Sequence, residues 1–349
     1  MVPMPSKPST VHISDSIMIT DELQQYRGQR GLSYVEVLVT VSMTAVIVLA
    51  LMGVVNTATE TGNEVAERNT LTREARFALS RMSSMLGRSP TLLLPLADNP
   101  ATNWPENLRE QTDPPTPPLG SSTLATAVLA FSLPAYVDLD GDDLADADND
   151  GDGRIDEDLP GDATWDNASG IVGIDDNGDG TVDEGDEKDD DEDGDKDEDW
   201  FNGVDDDGDG RIDEDPKDDN NKDDKAGVAG IDDDADGDVD EGDKKDDDED
   251  GVKDEDWYDP VVFYLKTGSN GRLALVERSP VPWDVNSDTV IDGLDFVESE
   301  LAQNVTHFRV ERLQTATSVV LIDITIGLVD PQSGESISLQ TRVRAGGAL

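Results

Sequence analysis

Residues 27–55, RGQRGLSYVEVLVTVSMTAVIVLALMGVV, set the plan of this chain. From Val37 to Val55 there are 19 residues without a charge. Coiled as a helix at about 1.5 Å per residue, that run covers roughly 29 Å, close to the thickness of a bilayer core. Arg27 and Arg30 precede it, and basic residues there favour a cytoplasmic N-terminal side with the C-terminal bulk outside. Glu36 places an acid at the edge of the apolar span, a costly position that tends to mark function. The plainer reading is a side chain that snorkels to the interface. Small residues after Val55 (NTATETGNEVAERN) allow a weak secretory-cleavage reading as well.

Working outward, the helix is expected to run on to about Leu86. Leu71, Ala75, Leu79, Met82 and Leu86 recur at three- to four-residue spacing, while Arg73, Glu74, Arg76 and Arg81 lie off that stripe. Residues 92–122 are rich in Pro, Asn and Thr and read as loop. Residues 127–133 (AVLAFSL) read as a strand, and 260–278 as two strands around a Gly268–Gly271 turn. Residues 318–327 and 336–344 alternate as half-buried antiparallel strands, and 296–313 is expected to start helical and end extended. The fold class is therefore α+β: a long N-terminal transmembrane and amphipathic helix packed on an antiparallel β-sheet head.

The segment RGQRG-LSYVEVLVTV resembles the type IV prepilin signal: a Gly, an apolar residue, a Glu at the fifth mature position, then about twenty apolar residues. The resemblance implies cleavage between Gly31 and Leu32 by prepilin peptidase and N-methylation of Leu32. It also implies a pairing of Glu36 with the N-terminal amine of a neighbouring subunit, which makes its burial tolerable upon assembly. Leu32 replaces the commoner Phe. The element order is similar, loosely, to PilW-type minor pilins and to J-type minor pseudopilins of type II secretion, over residues 127–133 and 260–349.

The chain carries 26 Lys and Arg against 80 Asp and Glu, a net charge of -54. Residues 138–259 alone hold 57 acidic and 10 basic side chains. Such a surface repels nucleic acid and attracts cations. There is no cysteine, and His12 and His307 are far apart, so disulfides, thiolate sites, zinc sites and His-dependent triads are excluded or unsupported and no catalytic residue is assigned. If strands 127–133 and 261–265 are neighbours, the acidic stretch is one overgrown hairpin loop. Closure entropy grows only logarithmically with length, so such an insertion costs little.

Inside it the sequence repeats with a period of 57 residues: GIDDNGDGTVDEGDEKDDDEDGDKDEDW from Gly173 returns from Gly230 as GIDDDADGDVDEGDKKDDDEDGVKDEDW. Six loops share the template D-x-[DN]-x-D-G-x-x-D-E. Calcium wants six to eight oxygens, and alternate acids at positions 1, 3 and 5 converge when Gly at position 6 turns the chain. The candidate ligands are Asp148, Asp150, Asp152 and Asp156; Asp175, Asn177, Asp179, Asp183 and Asp186; and Asp189, Asp191, Asp193 and Asp197. The second copy contributes Asp205, Asp207, Asp209 and Asp213; Asp232, Asp234, Asp236, Asp240 and Asp243; and Asp246, Asp248, Asp250 and Asp254. Glu at position 10, such as Glu157 or Glu184, is a further candidate. The competing reading is a solvated acidic tract expanded by self-repulsion. A further stretch, DVNSDTVIDGLD from Asp284, has Thr289 where Gly belongs and reads as a turn.

Without helices flanking the loops, the pattern resembles thrombospondin type 3 repeats, in which closely spaced acidic loops wrap the chain around a row of calcium ions. The expected organisation is a leader (1–31), a pilin helix (32–88, spanning the membrane at about 37–55), a first head segment (89–137), a calcium-binding insertion (138–259) and a second head segment (260–349). The expected function is a minor type IV pilin assembled into a pilus or its tip, with an insertion that binds several calcium ions and serves adhesion. The alternatives are a type II secretion pseudopilin and a membrane-anchored, non-polymerising adhesin. Expected partners are other pilin or pseudopilin subunits, prepilin peptidase, the bacterial inner membrane and an extracellular surface ligand, and no nucleic acid.

Overall fold

The computed structural model describes residues 33–97, 108–112, 127–151, 153–156, 159–178, 180–192, 223–226, 229–230, 238–240, 242, 244–246, 253, 256–268, 270–314 and 319–346. The chain divides into two compact units, residues 1–60 and 61–349. One element, helix α1 (Tyr34–Leu86), belongs to both.

In the first unit, Ser33 and Glu36 start the helix. Glu36 Oε2 accepts a hydrogen bond from Ser33 N at 2.9 Å, and Ser33 Oγ accepts one from Val35 N at 3.4 Å. This reciprocal arrangement is a capping box, which satisfies donors that the first turn leaves open. The hydroxyls of Thr40, Ser42, Thr44, Thr57 and Thr59 donate to carbonyls one turn back, so the polar atoms of this apolar stretch are satisfied within the helix. Its apolar window is wholly exposed, and among the described residues α1 is the one helix long and apolar enough to cross a membrane.

In the second unit the helix changes character. Leu71, Ala75, Leu79, Met82 and Leu86 are buried together with Ala78 and Met85, which is the stripe expected from their spacing. They share one core with two antiparallel sheets. The first sheet has the order β1 (Leu92–Leu94), β3 (Val128–Ser132), β4 (Pro260–Thr267), β5 (Leu273–Pro280), β6 (Phe296–Ala302). The second has the order β2 (Leu108–Thr112), β7 (Val305–Gln314), β8 (Val320–Val329), β9 (Ser336–Arg344).

Three expectations are corrected. The head is built on two sheets rather than one. Residues 92–122, read as loop, contribute β1 and β2. Residues 296–302, read as helical, form β6, paired with β5 from Phe296↔Pro280 to Ala302↔Leu275. Glu, Leu and Ala gain only a few tenths of a kcal/mol each from helix propensity, less than the ladder offered by the open edge of β5.

β3 and β4 are hydrogen-bonded neighbours in register Phe131↔Val261, with residues 133–259 between them in sequence. Every residue of β3 is buried, because the sheet is covered on both faces. Adjacent residues of β5 show how: alternate side chains point to opposite faces. Glu277 takes Arg81 of α1 at 2.7 Å, whereas Arg278 Nη1 donates to Val172 O of the insertion at 2.7 Å. The ends of the insertion are tied down by Leu133 N to Asp259 O at 2.9 Å and Tyr258 N to Ala163 O at 2.7 Å.

Candidate functional site

The acidic loops have a definite backbone. In the Asp148 loop, the position-1 carboxylate accepts from Gly151 N at 2.8 Å and from Gly153 N at 3.0 Å. In the Asp175 loop the same two bonds come from Gly178 N at 2.6 Å and Gly180 N at 3.0 Å. Gly153 and Gly180, at position 6, have φ of 98° and 99°, a left-handed turn that glycine adopts without a Cβ clash. The position-9 acids Asp156, Asp183 and Asp240 are also left-handed, at 59°, 55° and 57°. Asp and Asn tolerate this region better than most residues.

The sequence duplication is also a structural one. Gly173 N donates to Asp183 Oδ1 at 2.7 Å, and Gly230 N to Asp240 Oδ1 at 2.6 Å. Val172 N donates to Asp166 Oδ2 at 2.9 Å, and Ala229 N to Asp223 Oδ2 at 2.8 Å. Each pair is one repeat apart. A tract governed only by charge repulsion has no reason to keep such bonds in phase.

Of the expected ligands, the structure describes Asp148, Asp150, Asp156, Asp175, Asn177, Asp183, Asp186, Asp189, Asp191, Asp240 and Asp246. Asp152, Asp179, Asp193, Asp197, Asp205, Asp207, Asp209, Asp213, Asp232, Asp234, Asp236, Asp243, Asp248, Asp250 and Asp254 lie outside the described residues, as do Gly31 and Leu32.

Two loops escaped the template. Among the described residues, Asp138, Asp140 and Asp146 form a group whose ligand atoms lie within 4.8 Å of one another. They occupy positions 1, 3 and 9 of DLDGDDLAD, where Asp143, at φ 75°, stands in for the position-6 glycine and Gly141 N donates to Asp138 Oδ1 at 2.6 Å. The Asp284 stretch, read as a turn, makes the same pair of bonds, from Ser287 N at 2.5 Å and Thr289 N at 3.0 Å, with Thr289 at φ 80°. Its position-12 acid, Asp295, accepts from Val285 N at 2.6 Å. Acids at positions 1, 3, 5 and 9, without the demand for glycine, are the signal that finds both.

The first loop is held by the far end of the insertion. Asn149 Nδ2 lies 3.1 Å from Asp256 Oδ1, from Trp257 O and from Asp259 Oδ2. Trp257 in turn packs on Trp165, with ring centroids 4.2 Å apart. Asp156 Oδ2 accepts from Ser132 Oγ at 2.7 Å, and its enclosed Oδ1 has no hydrogen-bond partner among the described residues. In the Asp175 loop, Arg109 of β2 approaches from the second sheet, with Nη1 3.8 Å from Asp175 Oδ1.

Burial here acts on carboxylates that have mostly other carboxylates for company. It pushes Asp156 well above the usual range, aided by Asp256 and Asp259 against the Ser132 hydrogen bond. Asp259 rises to about 8 through burial and the Asp256 and Asp146 charges, opposed by Asn149. Glu192, which accepts from Asp176 N and Asp183 N, rises to about 10 through burial and the Asp176 charge. Asp162 rises to about 6 through burial and Asp166, and Asp190 rises well above its ordinary value through burial and Asp162. Ionised, these groups repel one another, a cost that a divalent cation would offset. Hard oxygen donors, left-handed turns and an enclosed carboxylate oxygen without a partner all fit calcium.

Comparison of the chain with family models, characterised proteins and solved structures finds no match.

Proposed function

We propose that this protein is a minor type IV pilin: processed after Gly31, anchored in the bacterial inner membrane by residues 32–55, and assembled into a pilus or its tip. The observation that carries this reading is the two-part helix. Its first part exposes an uninterrupted apolar surface, and its second buries a stripe in the core of a head with two sheets. A filament subunit needs both, one to wait in the membrane and pack on neighbouring subunits, the other to hold its head. The capping box supplies Glu36 with a local role before processing. In the mature subunit, which would begin at Leu32, the same carboxylate is close enough in sequence to meet a neighbour's N-terminal amine.

The insertion is the displayed part, and several calcium ions would fold it. Asp138, Asp140 and Asp146, Asp148 with Asp156, Asp175 with Asp183, and Asp284 with Asp292 and Asp295 would hold them, leaving a stiff, acidic arm for contact with a surface. The same anchor and head serve a type II secretion pseudopilin, in which the head meets partner pseudopilins instead. Mass spectrometry of the mature N-terminus tests the anchor. Methylated Leu32 supports the reading, and an intact N-terminus or a cut after Val55 rejects it. Glu36→Ala is expected to insert in the membrane and fail to enter the filament, and normal incorporation removes its assembly role. Linkage to pilus or to secretion genes separates the two machines.

A further inference from the structure

Arg109 lies in β2 opposite Val310 of β7, and both side chains are on the buried face of the second sheet. Only 3% of Arg109 is exposed. A guanidinium so enclosed needs a carboxylate beside it. It meets Asp175, position 1 of an acidic loop and itself buried, with Nη1 3.8 Å from Asp175 Oδ1. That separation makes an ion pair but is too long for a hydrogen bond, so charge is what couples the two.

The contact is built around a glycine. A Cβ on Gly178, position 4 of the loop, would sit 2.8 Å from Arg109 Nη1 and 3.3 Å from its Cζ. One repeat on, the same position is Ala235. In the Asp148 loop position 4 is Gly151, and a Cβ there would meet Leu144 Cδ1 at 3.6 Å. The two loops hold their position-1 carboxylates by the same pair of glycine amides, yet they differ in what lies over the turn. One has a cation there, the other a leucine. Calcium held by Asp175 would come within a few ångströms of the guanidinium, and like charges so close in a site shielded from water repel strongly.

We propose that Arg109 sets the calcium affinity of the Asp175 loop: a resident cation that offsets the charge of Asp175 in the ion-free protein and weakens the hold of that loop on calcium. Leu144, over the Asp148 loop, does neither. This inference rests on the calcium reading given above and adds to it a residue outside the acidic repeats. Through Arg109 the second sheet bears on one loop of the insertion, so filling that loop works against the link between them.

The test is hydrogen exchange with mass spectrometry on the full chain in detergent micelles, across a series of buffered free-calcium levels, so that each loop reports its own midpoint of protection. Arg109→Gln, which keeps a polar side chain and removes the charge, should lower the midpoint of residues 175–183 by about tenfold and leave that of residues 148–156 where it is. A purely structural prop predicts the opposite sign, because a loosened loop would need more calcium. The reciprocal variant is Leu144→Arg, at a position 42% exposed and therefore tolerant of a long side chain. It should raise the midpoint of residues 148–156 by about threefold or more, while its neutral twin Leu144→Gln leaves it unchanged. If Arg109→Gln does not fold, the Leu144 pair decides the matter. An unchanged or raised midpoint for residues 175–183 in Arg109→Gln, or equal midpoints in Leu144→Arg and Leu144→Gln, would overturn the proposal. Absence of calcium-dependent protection in both loops of the unaltered protein would remove the calcium reading itself, and this inference with it.

Discussion

If calcium occupies the acidic loops, its arrival must expel protons, and the structure says roughly how many. A ligand carboxylate has to be ionised, and a bound cation also favours ionisation of buried carboxylates close to it, so such groups that are protonated in the free protein release their protons on binding. At pH 7 a group with a pKa of about 8, such as Asp259, is about 0.9 protonated, and one of about 10, such as Glu192, is fully so. Asp162, at about 6, retains only about 0.1 of a proton. Asp156 and Asp190 are shifted in the same direction by burial and act in the same sense. The expected release from Asp259, Glu192 and Asp162 is therefore about two protons per chain at pH 7, falling by about one at pH 9, mostly because Asp259 ionises beforehand. Calcium titrations in two buffers of different ionisation enthalpy, such as Pipes and imidazole, read this number from the difference in observed heat. Calcium bound with less than about half a proton released would refute the reasoning, since the ions would then leave the buried carboxylates beside the loops undisturbed.

The same groups set the pH dependence of the calcium-free protein. For Asp259 the folded pKa, about 8, lies above the ordinary 3.8, so the stability it lends is complete below about pH 4 and is lost as pH rises through about 8. The calcium-free insertion should therefore be most compact in mild acid and expand toward pH 8, and scattering that shows the opposite trend contradicts this. Gly293→Ala should loosen the Asp284 loop from the insertion, because its Cβ would sit 2.0 Å from Thr164 O, at about 1–3 kcal/mol in urea unfolding. Met82→Ala, at a fully buried position of the helix stripe, should cost about 2–5 kcal/mol by the same measurement, and a loss below about 0.5 kcal/mol would mean the stripe is not in the core. Thr289→Gly relieves a β-branched residue at φ 80° and should raise the melting temperature of the head by a few degrees, about 0.5–1 kcal/mol.

How far each feature could be read from the chain depended on how local its cause is. The membrane-length run, the buried stripe from Leu71 to Leu86 and the turn-forming glycines Gly153 and Gly180 follow from neighbours in sequence, and all were legible. The Ser33–Glu36 cap is equally local, but the assembly reading of Glu36 does not anticipate it. The demand for glycine at position 6 hid the Asp138 and Asp284 loops. Asp143 and Thr289 adopt the left-handed conformation there because surrounding bonds hold them in it, at a cost no propensity scale anticipates.

Sequence by itself determined a long helix with an apolar first part, an antiparallel head, a hairpin split by an acidic insertion and a 57-residue duplication within it. These are matters of periodicity, composition and self-similarity, which are properties of the chain in order. Tertiary structure alone decided that the strands divide into two sheets, that residues 296–302 join β5 as a strand, that Asp256 and Asp259 return to close on Asn149, and that Arg278 is buried beneath Val172. Each of those depends on which surface arrives from a distant part of the chain, and a free strand edge or a buried charge is defined only once that surface is in place.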